Sequence, residues 1–92
     1  MNHHDINNAV MSALPQAERR GFLRTPRSIS LQYFYGREWL KIRLQRNAAT
    51  LTYGNRPAKT ANTMDDLRRL LAWVVEEFER KEEQIAEKCR HG

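Results

Sequence analysis

The sequence is poor in the residues that most often carry catalysis or bind metal ions. It has one cysteine, Cys89, which excludes an internal disulfide and is typical of proteins in a reducing compartment. Its three histidines, His3, His4 and His91, lie near the ends of the chain, and no Cys/His spacing typical of zinc occurs. A glycine-rich phosphate loop is also missing. We therefore expect no enzymatic activity, no metal and no cofactor.

Long apolar runs are missing too, which bears on location. No run approaches the roughly 20 residues that a membrane-spanning helix needs. The first residues lack a basic region followed by an apolar one, so no signal peptide is expected. The sequence predicts a cytoplasmic protein without a membrane partner, and its 92 residues are expected to form one domain, 1–92.

Positive charge is abundant but unevenly distributed. The net charge is +5, yet residues 1–63 contain ten Lys/Arg against three Asp/Glu, whereas residues 64–92 contain six against eight. Four of the arginines lie within residues 19–27. Such an excess is expected of a region that faces phosphate, although many small basic domains bind nothing anionic.

Residues 28–53 predict three antiparallel strands. Alternate residues of a strand face opposite sides of a sheet, and the aliphatic residues here recur at every second position. The pair Gly36-Arg37 suits a type II′ turn. A hairpin closed there pairs Phe34 with Trp39 and places every aliphatic side chain of both strands on one face, a register that a one-residue slip would destroy. The third strand is predicted at Ala49 to Tyr53.

The segments on either side of these strands are predicted to be helical or irregular. Asp5 is expected to cap a short helix, which Pro15 ends, and residues 16–22 are expected to form a second short turn or helix. The arginine-rich residues 19–27 and the small residues 58–62 are expected to be loops.

The longest predicted element is a helix from Met64 to Arg90, capped by Thr63. Apolar residues recur at helical spacing as far as Phe78 and should cover the aliphatic face of the sheet. Beyond it the helix is polar, so residues 79–90 are expected to project into solvent or to mediate self-association. The prediction is an α+β domain of order α-β-β-β-α: a three-stranded antiparallel sheet with short N-terminal helices, a long C-terminal helix and one open face.

Nucleic-acid binding is the function that the residue chemistry favours. Phosphate contact needs several cations on one surface, and base stacking needs an exposed aromatic plane. The predicted binding residues are Arg19, Arg20, Arg24, Arg27, Phe34, Trp39, Lys41, Arg43, Arg46, Arg56 and Lys59. The alternative for the two aromatics is a cross-strand pair covered by the N-terminal helix.

Two family resemblances follow from these features. The order α-β-β-β-α resembles the double-stranded RNA-binding domain, which reaches phosphates with lysines at the start of its last helix. That position here reads Lys59-Thr-Ala-Asn-Thr-Met-Asp-Asp66, with acids in place of lysines. The topology is similar, but the binding motif is missing.

The length, the lack of catalytic groups, the small open sheet and the Thr-Met-Asp-Asp helix start resemble small phage anti-CRISPR proteins, especially type I-F inhibitors. These inhibitors share no motif, so no residue role is carried over. The resemblance implies an inhibitor in the host cytoplasm that binds an RNA-guided surveillance complex and blocks target DNA. Because this chain is basic, contact with guide RNA or acidic protein subunits is expected. The alternative is a stand-alone nucleic-acid-binding accessory or regulatory protein of a phage or mobile element.

Overall fold

Two helices pack on one face of a five-stranded antiparallel sheet. The computed structural model describes the backbone of residues 1–91 and the side chains of residues 1–84. Along the chain the elements are α1 (His3–Ala13), β1 (Glu18–Arg24), β2 (Ile29–Tyr35), β3 (Glu38–Gln45), β4 (Ala48–Tyr53), β5 (Lys59–Ala61) and α2 (Met64–His91). Each strand pairs with its neighbour in sequence, so the sheet order is β1-β2-β3-β4-β5. The α+β class is confirmed, but the predicted three-stranded sheet is wrong.

The β2–β3 hairpin has the predicted register, with Phe34 opposite Trp39. Every second residue of β3 is buried, as the alternating pattern requires. The turn differs from the prediction, because Gly36 (φ 59°) and Arg37 (φ 64°) both have positive φ. Two positive φ values are the mark of a type I′ turn, so the predicted type II′ turn is wrong. A side chain at Gly36 would also collide with the ring of Phe78 on α2.

Residues 18–24 form edge strand β1, not the predicted helical turn and arginine-rich loop. They pair with β2, and the register shifts between Arg19 and Gly21, leaving Arg20 in a bulge. Gly21 therefore lies at the bulge. The segment is exposed along nearly its whole length, so it carries no apolar period of its own, and pairing with β2 decides its structure.

Residues 59–61 form the opposite edge strand, β5, where the sequence predicted a loop. Ala61 pairs with Ala49 and Lys59 with Leu51, which extends the sheet beyond β4. A three-residue strand is too short to show alternation, so only its pairing identifies it. The N-terminal segment holds a single helix, α1, which is capped by Asn2: its Oδ1 accepts from the Asp5 backbone N–H at 2.9 Å.

The core lies between the helices and one face of the sheet. Ile6 and Val10 of α1 and Leu67 and Leu71 of α2 are fully buried there. From the sheet, the fully or nearly fully buried side chains are Leu31, Tyr33, Leu40, Ile42, Ala49, Leu51, Tyr53 and Ala61. Both helices occupy this face, so the opposite face of the sheet carries neither helix.

Helix α2 begins at Met64, as predicted. The Thr63 Oγ1 accepts from the Asp66 backbone N–H at 3.1 Å, which satisfies a donor of the first turn. The self-association prediction for residues 79–90 falls partly on side chains from 85 onward, which lie outside the described residues. In the part of the chain that the structure describes, no helix combines the length and apolar character needed to cross a membrane.

Candidate nucleic-acid interface

The side of the sheet without helices, called here the open face, presents an aromatic pair. Phe34 and Trp39 are cross-strand neighbours whose ring centroids lie 5.5 Å apart in an edge-to-face arrangement. Trp39 is 46% exposed, while Phe34 is half-buried. Helix α1 packs on the other side of the sheet and does not cover these rings. The Trp39 ring is therefore accessible to a planar ligand.

Two cations follow Trp39 along the same face of β3. Lys41 and Arg43 stand at every second position, and both side chains are exposed. Thr52 lies opposite Lys41, and Thr50 lies opposite Arg43, on β4. These residues surround a hollow lined by Ser30, Gln32, Lys41, Ile42, Arg43, Thr50 and Thr52. The open face thus combines an aromatic plane, two cations and a row of hydrogen-bonding side chains.

The bulge of β1 adds a further cation to the open face. The guanidinium carbon of Arg20 lies 6.0 Å from the centroid of the Phe34 ring. Arg20 also pairs with the exposed carboxylate of Glu18 on the same strand. Its charge is therefore partly neutralised, while those of Lys41 and Arg43 have no carboxylate within 4.0 Å among the described side chains.

Two predicted arginines lie in the turns at one end of the sheet. Arg27, in the β1–β2 turn, and Arg46, in the β3–β4 turn, line a common hollow with Pro26, Gln45, Ala48 and Thr50. Arg43 pairs with Thr50, so this hollow borders the open face. The turns therefore extend the basic surface beyond the strand ends.

Three predicted cations lie on the helix side of the sheet and not on the open face. Arg19 pairs with Tyr33 and Arg24 with Ile29, and directly paired residues share a face. Lys59 pairs with Leu51 and places its ammonium 4.8 Å from the centroid of the Trp73 ring. The predicted binding residues are therefore divided between the two faces.

Arg56 is engaged by carboxylates within the domain. Its Nη1 donates to Glu38 at 3.0 and 3.1 Å, and its Nε donates to Glu77 at 3.4 Å. Burial opposes its charge, but the hydrogen bonds with Glu38 and Glu77 outweigh that effect and raise the pKa of Arg56. Lys81 also lies 3.6 Å from Glu38. Arg56 thus links the β4–β5 connection to β3 and α2 through ion pairs. Its charge is satisfied within the domain, so it is not part of the proposed binding surface.

Replacing Arg56 by methionine is expected to lower the free energy of unfolding by about 1–3 kcal/mol, between the values for exposed and buried pairs. The change leaves the partly buried Glu38 and Glu77 without their shared cation. The matched control is Arg80→Met, because Arg80 pairs with Glu77 at 3.3 Å but is largely exposed. Urea denaturation of both variants measures the difference, and equal stabilities would contradict the role given to Arg56.

The cations without an acidic partner are concentrated in the sheet. Among the described side chains, those with no carboxylate within 4.0 Å are Arg19, Arg24, Arg27, Arg37, Lys41, Arg43, Arg46 and Lys59. On α2, by contrast, Arg68, Arg69 and Arg80 each pair with an acid three residues earlier. These pairs offset the arginine charges on α2, so the described cations without an acidic partner lie on the strands and turns.

The sequence did not single out a second aromatic group, on the helix side of β1. The ring centroid of His3 lies 5.4 Å from that of Phe22 and 4.1 Å from that of His4. This contact joins α1 to β1 and exists only because residues 18–24 form a strand. No local signal could have revealed it.

Within the residues that the structure describes, no three His, Cys, Asp or Glu side chains are placed to hold a metal ion. A scan against protein-family models and searches of curated proteins and of solved structures found no match to this chain. Function is therefore inferred from the chemistry of its own side chains.

Proposed function

We propose that this protein is a non-enzymatic binder of single-stranded nucleic acid and that the open face is its binding surface. One observation carries the proposal: exposed Trp39 lies in line with Lys41 and Arg43, and neither cation has an acidic partner among the described side chains. An aromatic plane beside unpaired cations is the combination that single-strand binders use to stack bases and neutralise phosphates.

The spacing of these residues suits an extended strand. Alternate residues of a β-strand lie about 7 Å apart on one face, so Trp39, Lys41 and Arg43 form a row about 14 Å long. A base stacked on Trp39 would place the following phosphates near the two cations. The hydroxyls of Thr50 and Thr52, on the neighbouring strand, add hydrogen-bonding groups without base specificity.

A single strand fits this surface better than a duplex. Stacking on Trp39 requires an unpaired base, since the bases of a duplex already stack on one another. The duplex-binding family that the sequence resembles uses lysines at the start of its last helix. Here Asp65 and Asp66 occupy that turn, so it lacks the lysines that would contact a phosphate backbone.

The resemblance to type I-F anti-CRISPR inhibitors supports a narrower form of the proposal. In that form the bound strand is the guide RNA of a surveillance complex, and the protein excludes target DNA sterically and electrostatically. The alternative is an accessory or regulatory protein of a mobile element that binds free RNA or DNA. The inhibitor and the accessory protein would use the same surface, but the first would bind guide RNA within a surveillance complex and the second free RNA or DNA.

Trp39→Ala is expected to weaken binding of a labelled single-stranded oligonucleotide about 5- to 150-fold, the equivalent of 1–3 kcal/mol for one lost stacking contact. Trp39→Phe should restore much of the affinity because it keeps an aromatic plane. Fluorescence anisotropy measures both affinities. Unchanged affinity in Trp39→Ala would remove the proposed surface.

The charged part of the surface has a matched control on α2. Lys41→Gln with Arg43→Gln should make the slope of log K against log salt shallower by about 1.4, or 0.7 for each phosphate contact. Arg68→Gln with Arg69→Gln removes the same charge from an exposed helix face and should leave the slope unchanged. Equal slopes in the two double variants would indicate non-specific attraction only.

A mobility-shift assay separates the two targets. Purified type I-F surveillance complex, its guide RNA alone and its target DNA are each titrated with the protein. Loss of target-DNA binding by the complex supports the inhibitor. Unimpaired DNA binding at saturating protein removes the inhibitor and, if guide RNA or DNA alone shifts, favours the stand-alone binder.

A further inference from the structure

A second basic surface lies across the sheet edge from the open face. We call it the edge patch and define it as His3, His4, Arg19, Phe22 and Arg24. Phe22 is 42% exposed, and the Arg19 guanidinium carbon lies 5.3 Å from the centroid of its ring. The His3 ring approaches the same ring to 5.4 Å. An exposed aromatic ring is thus flanked by a histidine and an arginine.

The edge patch carries positive charge without compensation from a paired acid. Arg19 and Arg24 have no carboxylate within 4.0 Å among the described side chains. Desolvation and repulsion from His4, Arg24 and Arg19 lower the pKa of His3. His4 lies on α1 and the two arginines lie on β1, and the first turn of α1 also contains the acid Asp5. An anionic ligand would relieve the repulsion.

The bulge in β1 connects the edge patch to the open face. Arg19 and Arg20 are consecutive, yet Arg19 lies near Phe22 on the helix side and Arg20 lies near Phe34 on the open face. Strand β1 is an edge strand of the sheet, so no further strand separates the two surfaces. Two strand spacings, about 10 Å, separate β3 from this edge.

We propose that the edge patch binds phosphates of the same nucleic-acid strand, where that strand leaves the open face and crosses β1. This inference rests on the proposed function, because the open face must first hold the strand. It deepens that function by assigning a longer ligand and a second set of contacts. A short oligonucleotide fills the open face alone, whereas a long one also reaches Arg19, Arg24 and the two histidines.

The test compares two oligonucleotide lengths. Labelled oligo-U of 4 and 16 nucleotides is titrated against wild type, Arg19→Gln with Arg24→Gln, and the control Arg68→Gln with Arg69→Gln. We expect the edge variant to bind the 16-mer several-fold more weakly, with a salt slope shallower by about 1.4, and to bind the 4-mer like wild type. Arg19→Lys with Arg24→Lys should retain most of the 16-mer affinity, because it keeps both charges.

His3 provides an independent readout. A phosphodiester stays charged between pH 8 and 5.5, whereas an imidazole gains a proton as the pH falls. Nearby cations lower the pKa of His3, and a bound phosphate would oppose that repulsion. We expect the affinity of wild type for the 16-mer to rise more steeply than its affinity for the 4-mer as the pH falls, and His3→Gln to remove this difference.

The outcomes separate this inference from the proposed function. If the edge variant binds the 16-mer with wild-type affinity and salt slope, the inference is overturned, while weaker binding by Trp39→Ala would leave the proposed function standing. If neither oligonucleotide binds wild type, both fall. Denaturation midpoints of all variants verify that the exposed substitutions leave the fold intact.

Discussion

Replacing Ile42 by alanine is expected to lower the free energy of unfolding by about 2–5 kcal/mol, the range for truncating a buried aliphatic side chain. Ile42 is 1% exposed and lies at the centre of β3, between Leu31 of β2 and Leu51 of β4. Truncation removes apolar contact and leaves a cavity that three paired strands cannot easily close.

The matched control is the next residue along the strand. Arg43 points to the open face, so Arg43→Ala should change the free energy of unfolding by less than about 0.5 kcal/mol. Urea denaturation measures both variants at neutral pH. Two neighbouring substitutions with such different costs test the assignment of the faces directly, and similar costs would contradict it.

Alkaline pH is expected to destabilise the fold through two buried tyrosines. Burial raises the pKa of Tyr33 and of Tyr53 to about 12 each. In the unfolded chain the phenol ionises near pH 10. Between pH 10 and 12 the unfolded state therefore loses protons that the folded state retains, and the free energy of unfolding falls as the pH rises. The loss amounts to at most about 3 kcal/mol for each tyrosine.

Phenylalanine variants identify the source of this loss. Tyr33 donates to Asn7 Oδ1 at 2.8 Å and Tyr53 donates to the Tyr35 carbonyl at 3.1 Å, so each variant should cost about 1 kcal/mol at neutral pH. Tyr33→Phe and Tyr53→Phe should each flatten the decline in stability measured by denaturation at pH 9, 10 and 11. A decline as steep as that of wild type in both variants would assign it to other groups.

The central strands were predictable because their signal is local. Buried side chains recur at every second position in β2, β3 and β4, and burying one face of each strand admits a single register. The signal for the start of α2 was equally local, since the Thr63 side chain caps the first turn of this helix. The turn at Gly36 was located correctly but assigned the wrong type, because Arg37 adopts a positive φ that its residue type does not favour.

The edge strands were missed because nothing within them distinguishes strand from loop. Glu18–Arg24 shows no alternation of apolar and polar residues and is exposed on both faces, and Lys59–Ala61 is only three residues long. Their conformation comes from hydrogen bonds with β2 and β4. The bulge at Arg20 is also a product of pairing, since a bulge is defined by the residues opposite it.

The candidate binding surface likewise has one part that the sequence predicted and one part that only the tertiary structure determined. Side-chain alternation in β2 and β3 was sufficient to place Phe34, Trp39, Lys41 and Arg43 together, because parity along a strand is a property of the chain itself. Which distant cations join them depends on contacts between elements. Arg56 forms ion pairs with the carboxylates of Glu38 and Glu77 and is not available to the open face. The pairing of β1 with β2 places Arg19 and Arg24 on the helix side of the sheet. The sequence periodicity thus determined which face of its own strand each side chain occupies. The distribution of charge over the two faces of the sheet was determined only by the pairing of the strands and by contacts with α2.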